Sequence, residues 1–227
     1  MDRPRASRPV PLGLTALVAL FSALTALAVS NGHPAHAHDS PAPTAATSQS
    51  ELALRNDMRA LWEDHIVWTR LAIISLIDGS PDTDATVARL LRNQTHIGDA
   101  VKPDYGDAAG DELTRQLRGH ILIAADLVLA AKAGDTAKLA DAQQRWRANA
   151  DDIAAVLNGV NPVFWKLDAL EHMLDEHLTL TTQEAVARLG GDWEADVAAY
   201  DAIHHHALGM ADTLSLGIVQ QFPRRFR

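Results

Sequence analysis

The sequence predicts an all-α protein, an up-and-down antiparallel helical bundle with about five long and two short helices. From Glu51 onward, apolar residues recur at alternating intervals of three and four residues, the period of an amphipathic helix. No stretch alternates convincingly with the period of two that a half-buried strand requires. Glycine, proline and asparagine separate the periodic segments by short connections, which makes consecutive helices antiparallel neighbours.

The first 37 residues have the pattern of a secretory signal peptide. Three arginines lie within the first eight residues, an apolar run covers 12–29, and a small-residue Ala-x-Ala pattern ends at Ala37. The alternative is an uncleaved anchor, since this run is at the lower edge of the length that spans a bilayer. We expect cleavage after Ala37 and export by the Sec route, because no twin-arginine pair is present.

Residues 38–50 are rich in Pro, Ala, Ser and Thr and are predicted to be a flexible linker. The helical-bundle domain is expected to cover 51–227, with Ser50 able to cap its first helix. The helices are predicted over about 51–78, 81–100, 108–133, 136–157, 163–178, a short segment 181–190, and 193–221.

Predicted capping signals set several of these boundaries. Ser80 followed by Pro81 would begin the second helix. Thr181 and Glu184 match a capping box that would begin the short sixth helix, and Asp192 would cap the last one.

Composition excludes several function classes. The chain contains no cysteine, which removes disulfides, thiolate metal sites and cysteine nucleophiles. Its formal net charge is −9, and the acidic balance argues against nucleic acid and anionic lipid as partners of the mature protein. No Gly-rich phosphate loop, nucleophile elbow or His-Glu-x-x-His motif is present.

Four histidines are the informative anomaly. His65, His120, His177 and His204 each lie within the apolar stripe of a different predicted helix. Four helices that each direct one imidazole inward could bind a transition metal in the bundle core, and imidazole suits Zn, Cu, Ni and Fe. Alternatively, the same histidines could be hydrogen-bonded polar groups of the core, or general acids and bases.

Neighbouring residues extend this hypothesis. Asp201 precedes His204 by three residues, the spacing of carboxylate–histidine pairs in bundle metal sites, and would orient it. Met173 precedes His177 by four residues, so a thioether could face the same site. His205 and His206 are expected to face solvent, because three consecutive residues wrap around a helix.

Five groups of segments resemble a functionally uncharacterised family of small helical proteins from Gram-positive bacteria. They are 61–65 with 68–70, 93–103, 120–124, 177–181, and 210–212 with 221–223. The likeness covers nearly all of 51–223. Relatives sometimes carry the names glycosyltransferase or acetylglutamate kinase, chemistries normally built on α/β folds. The resemblance implies a helical fold and assigns no functional residues.

These observations favour an exported, non-enzymatic helical bundle that binds a transition metal or a metal-containing ligand. Its ligands would be His65, His120, His177 and His204, with Asp201 in support. One alternative is a structural or partner-binding bundle outside the cell that has no ligand. The other is an enzyme that uses the same imidazoles for acid–base chemistry.

Overall fold

A computed structural model describes residues 47–227, which form six α-helices and contain no strand. The predicted signal peptide and most of the predicted linker lie outside the described residues. The helices are α1 Gln49–Asp78, α2 Thr83–Tyr105, α3 Asp107–Ala133, α4 Thr136–Val160, α5 Leu167–Gly190 and α6 Trp193–Gln221. The predicted all-α fold is confirmed.

Each helix packs against the next in sequence, and α6 returns to pack against α1. Helix α1 also contacts α3 and α5, so it lies toward the middle of the bundle. The largest apolar cluster includes buried residues of all six helices, with members such as Ile66, Ile97, Leu117, Ile153 and Ile218. Within residues 47–227, no helix combines the length and hydropathy needed to cross a membrane.

The predicted start of α2 and the ends of α2 and α4 need correction. Asp82 rather than Ser80 precedes the first residue of α2, and α2 continues through Pro103 to Tyr105. Pro103 lies in the last turn of α2. The helix ends at Gly106, whose φ of +84° is readily adopted by glycine. Helix α4 also runs further than predicted, through Gly159 to Val160.

The predicted fifth and sixth helices are one continuous helix, α5. No glycine or proline lies between His177 and Gly190, so nothing in the backbone interrupts it. The Thr181 hydroxyl donates to the carbonyl of His177 within the helix, at 2.8 Å. The predicted capping box is therefore wrong, and Glu184 pairs with Arg70 instead.

The α4–α5 connection closes one end of the bundle. Its Trp165 is only 2% exposed and packs against Gly217 of α6, where a Cβ would lie 1.9 Å from the indole nitrogen. Asn161 is fully buried and donates to the carbonyl of Gly217 at 3.0 Å and to the hydroxyl of Tyr105. These contacts explain why residues 161–166 leave the helical path that was predicted from 163 onward.

Candidate functional site

Three of the four predicted histidines meet in the middle of the bundle. His65 of α1, His120 of α3 and His177 of α5 are each no more than 5% exposed. The ring centroid of His177 lies 5.8 Å from that of His65 and 6.2 Å from that of His120. The apolar periodicity of α1, α3 and α5 therefore located these side chains correctly.

The fourth member of this cluster is His206, not His204. The His206 ring centroid lies 6.2 Å from that of His177, and its side chain is 12% exposed. His204 lies on the outer side of α6, where its Nε2 is 2.8 Å from a carboxylate oxygen of Glu63. We call the four clustered residues, His65, His120, His177 and His206, the histidine layer.

The error on α6 is one of helical phase. Trp193 and Val197, which share the three–four spacing of His204 along α6, are 58% and 52% exposed. The buried face instead follows residues such as Ile203, Ala207 and Met210. Helix α6 carries apolar residues on both phases, so the periodicity did not distinguish them. A face rich in small residues was the available signal, because small residues allow helices to approach closely.

The two residues predicted to support the site do not act as expected. Asp201 is exposed on α6 and does not orient His204, whose ring contacts Glu63. Met173 lies partly buried beside the core, one turn before His177. It contributes its backbone carbonyl, which accepts a hydrogen bond from Nε2 of His206 at 3.0 Å.

The hydrogen bonds of His120 fix its tautomer. Nδ2 of Asn149 donates to the backbone carbonyl and the side-chain oxygen of Gln116. This orientation of the amide leaves the Asn149 side-chain oxygen to face His120. Nδ1 of His120 lies 2.8 Å from that oxygen and must therefore donate. In the neutral ring the lone pair is then on Nε2. Metal-binding histidines are commonly oriented in this way, by a hydrogen bond from the other ring nitrogen.

His206 is oriented by the same device. Because a carbonyl oxygen only accepts, Nε2 of His206 carries a proton and donates to Met173. The lone pair of the neutral ring is then on Nδ1, which lies 3.6 Å from a carboxylate oxygen of Glu176. A cation at this point would meet both an imidazole nitrogen and a carboxylate.

His65 has a more crowded partner. Nε2 of Gln94 lies within 3.1 Å of Nδ1 of His65, the carbonyl of Leu90 and the side-chain oxygen of Asn93. An amide nitrogen has only two hydrogens for these three acceptors. Meanwhile the side-chain oxygen of Gln94 is buried without a hydrogen-bond partner. Gln94 therefore cannot donate to all three acceptors at once.

His177 lies at the centre of the layer and contacts the other three imidazoles. Its Nδ1 is buried and has no hydrogen-bond partner among residues 47–227. The indole nitrogens of Trp62 and Trp146, whose rings pack against His65 and His120, are buried and unpartnered as well. A buried polar atom without a partner costs about 1–3 kcal/mol, so these three nitrogens leave unmet hydrogen-bonding capacity in and beside the layer.

Burial favours the neutral form of His65, His120 and His177. It lowers the pKa of His65 to about 4, with the neighbouring His120 adding to the effect. Burial also lowers the pKa of His120 to about 4, although the bond to Asn149 opposes it. The pKa of His177 is lowered well below its ordinary value by burial and by the other three histidines. The neutral imidazole is the form that binds metals.

The rings are close to, but not in, a coordinating arrangement. Within residues 47–227, no three His, Asp or Glu side chains are already placed to hold one metal ion. Metal–nitrogen bonds of about 2.0–2.1 Å put two imidazole centroids that share an ion roughly 5–6 Å apart. The observed separations of 5.8–6.2 Å are near this range. Coordination of one ion by His177 and a neighbouring histidine would therefore require the two rings to rotate.

A second buried polar group, the charged cluster, lies nearer the end of the bundle. It consists of Arg70, Arg188, Glu184 and Asp196, and both carboxylates are 2% exposed. Arg70 donates to Glu184 at 2.7 Å and to Asp196 at 2.9 Å. Burial raises the pKa of Glu184 to about 7, against the attraction of Arg70. Sequence analysis missed this cluster, because no local spacing links residues of α1, α5 and α6.

Comparison with known proteins adds no family to these observations. No protein-family model matches the chain, nor does any curated protein or any solved structure. The resemblance to a Gram-positive family of small helical proteins stays a prediction. The candidate site therefore depends on its own geometry.

Proposed function

We propose that this chain is an exported helical-bundle protein that binds a transition-metal ion through the histidine layer. The ligands would be His65, His120 and His177, with His206 in the place first given to His204. The observation that carries the proposal is the position of His177. Its ring is buried, its Nδ1 has no hydrogen-bond partner among residues 47–227, and its centroid lies within 6.2 Å of the centroids of three imidazoles from three other helices.

The tautomers support this function. His120 and His206 each donate from one ring nitrogen to a fixed oxygen and keep a lone pair on the other. Low pKa values keep His65, His120 and His177 in the neutral form in neutral solution, so a metal ion need not compete with a second proton on these rings.

The layer favours an ion of low charge. Its three most buried donors are neutral, and the carboxylate of Glu176 lies at its outer edge, 3.6 Å from His206. Burying an ion is costly unless its charge is compensated, and the cost grows with charge. Among ions that imidazole binds, Cu(I) is therefore expected to bind more tightly than Zn²⁺ or Ni²⁺.

A structural core without a ligand is the second candidate. It is favoured by the amide contacts of His65 and His120, which occupy one nitrogen of each ring. The acid–base alternative has less support, since imidazoles with a pKa near 4 are weak bases at neutral pH. Two further predictions belong to the proposal. The mature protein binds neither nucleic acid nor membranes, and it is exported by the Sec route.

Metal content tests the proposal directly. The protein is purified from its native secretion without an affinity tag, and bound metals are measured by mass spectrometry before and after loading with Cu(I), Zn²⁺ or Ni²⁺. We expect about one equivalent of a single metal, lost in His177→Gln, because the central ligand is removed while a polar side chain remains. Absence of metal in every loaded sample would contradict the proposal.

His204→Gln is the matched control. It removes an imidazole from the same bundle, but one whose ring contacts Glu63 outside the layer. Its metal stoichiometry should equal that of the unmodified protein. Equal stoichiometry in His177→Gln would instead show that any bound metal is held elsewhere, for example by surface histidines.

A further inference from the structure

The four imidazoles of the histidine layer differ in their access to solvent. His65, His120 and His177 are buried, at 4–5% exposure, whereas the side chain of His206 is 12% exposed. His206 lies on α6 against α5, where its Nε2 donates to the carbonyl of Met173. Solvent therefore reaches the layer most easily at His206.

Buried side chains contact the rings of His65 and His120. None of these four neighbours is more than 8% exposed: Trp62 and Gln94 beside His65, and Trp146 and Asn149 beside His120. They would have to move before an ion from solvent could reach either ring on these sides. An ion that enters the layer thus meets the fewest obstacles at His206.

A carboxylate lies beside this more exposed ring. The side chain of Glu176 on α5 is 52% exposed, and one of its oxygens lies 3.6 Å from Nδ1 of His206. The bond from Nε2 to Met173 leaves Nδ1 with the lone pair of the neutral ring. Two ligands with bonds of about 2.0–2.2 Å to one tetrahedral ion are roughly 3.3 Å apart, so the observed separation is close to that of two ligands sharing an ion.

We propose that Glu176 and His206 form the entry site of the histidine layer, where a transition-metal ion first binds before it passes to His177. Two protein ligands leave the remaining coordination positions to solvent, which suits an ion that arrives solvated. Inward passage replaces the carboxylate by the ring of His177, whose centroid lies 6.2 Å from that of His206. This inference rests on the proposed function.

The charge of Glu176 gives the entry site its purpose. Moving a cation from water to a set of neutral, buried rings is costly, because the ion loses its solvation before its charge is compensated. A carboxylate at the edge of the layer offsets part of this cost at the stage when solvent ligands are exchanged for imidazole. Glu176 is therefore expected to affect the rates of binding and release more than the final affinity.

Uptake kinetics test the entry site. Metal-free protein is mixed without oxygen with Cu(I) supplied as its acetonitrile complex, and stopped flow follows the fluorescence of Trp62 and Trp146 beside the layer. We expect Glu176→Gln to slow uptake several-fold, because the amide keeps the shape of the side chain but not its charge. Release of Cu(I) to a competing chelator should slow by the same factor, since the equilibrium affinity is unchanged.

Asp175→Asn is the matched control. It removes the same charge one residue away, from an exposed side chain that lines the surface groove between α4 and α5. Its uptake and release rates should equal those of the unmodified protein. Equal uptake rates in Glu176→Gln and Asp175→Asn would overturn the entry site and leave metal binding intact.

Two other outcomes would also count against the proposal. If Glu176→Gln took up Cu(I) at the normal rate but bound it more weakly, Glu176 would be a ligand of the final site and not of an entry site. If the unmodified protein took up no metal at all, the entry site and the proposed function would both be overturned.

Discussion

The histidine layer and the charged cluster both bury polar side chains, but they satisfy them differently. In the charged cluster, both carboxylates accept hydrogen bonds from the guanidinium group of Arg70. Arg188 lies 3.6 Å from Asp196, although its Nε is buried without a partner among residues 47–227. In the histidine layer, neutral rings contact amides on one side while His177 and two indoles have unpartnered nitrogens. The comparison teaches that burial of polar groups alone does not indicate function. The charged cluster links three helices through opposite charges, whereas the layer brings together imidazoles, a side chain that can bind transition metals.

Breaking the charged cluster should have the largest effect. Arg70→Met leaves Glu184 and Asp196 buried with less compensation, and removal of one partner from a buried ion pair costs about 3–5 kcal/mol. Urea unfolding at neutral pH measures the loss. We expect it to shrink near pH 5, because the raised pKa of Glu184 lets this carboxyl become neutral there.

Arg55→Met is the control for that experiment. Arg55 makes a bidentate contact with Asp212 on the protein surface, where the ion pair is exposed to solvent. Its removal should leave the unfolding midpoint nearly unchanged. If the two variants unfold at the same urea concentration, the charged cluster does not hold the helices together as we infer.

The second expected effect is the change in the free energy of unfolding at acidic pH, which differs in sign between the two regions. Histidines with a pKa of about 4 in the folded protein take up protons more readily when it unfolds, so stability falls as pH decreases from 6.5 through 4. A shift of this size corresponds to roughly 3 kcal/mol for one ring. Glu184 acts in the opposite sense, because its raised pKa makes its contribution more favourable as pH falls through 7.

His120→Gln isolates the contribution of the layer. We expect the loss of stability between neutral and acidic pH, measured by urea unfolding, to be shallower than in the unmodified protein. His204→Gln should retain the original slope, since His204 lies outside the layer. A steep acid limb in His120→Gln equal to that of the control would mean that other groups cause the acid sensitivity.

Sequence patterns predicted the fold well because they report local physics. The three–four apolar spacing placed His65, His120 and His177 on inner faces, and glycines such as Gly134 and Gly191 end helices as left-handed residues. The patterns predicted α6 less well. Because α6 has apolar residues on both sides, its buried face was predicted about half a turn away from the observed one. His204 was therefore predicted to face the core in place of His206.

Contacts between distant segments were beyond such patterns. The pair Thr181–Glu184 fits a capping box in sequence, yet Glu184 is buried against Arg70, 114 residues away. Tautomers likewise depend on neighbours from other helices, as with His120 and Asn149. Periodicity indicates which side of a helix is buried, but the partner across the core depends on how the helices are arranged.

The smallest expected effect concerns the hydrogen bond that orients His120, and it separates loss of metal affinity from loss of protein stability. Asn149→Leu leaves Nδ1 of His120 and the side chain of Gln116 without their buried partner, which costs about 1–3 kcal/mol. Loss of an orienting hydrogen bond also weakens a histidine-bound metal about 10–100-fold. Asn158→Leu, on the same helix, removes a bond to the carbonyl of Trp165 far from the layer. Both variants should be less stable by urea unfolding, but only Asn149→Leu should bind metal more weakly in a competition titration. Equal affinities in the two variants would show that His120 is a structural residue of the core and not a ligand.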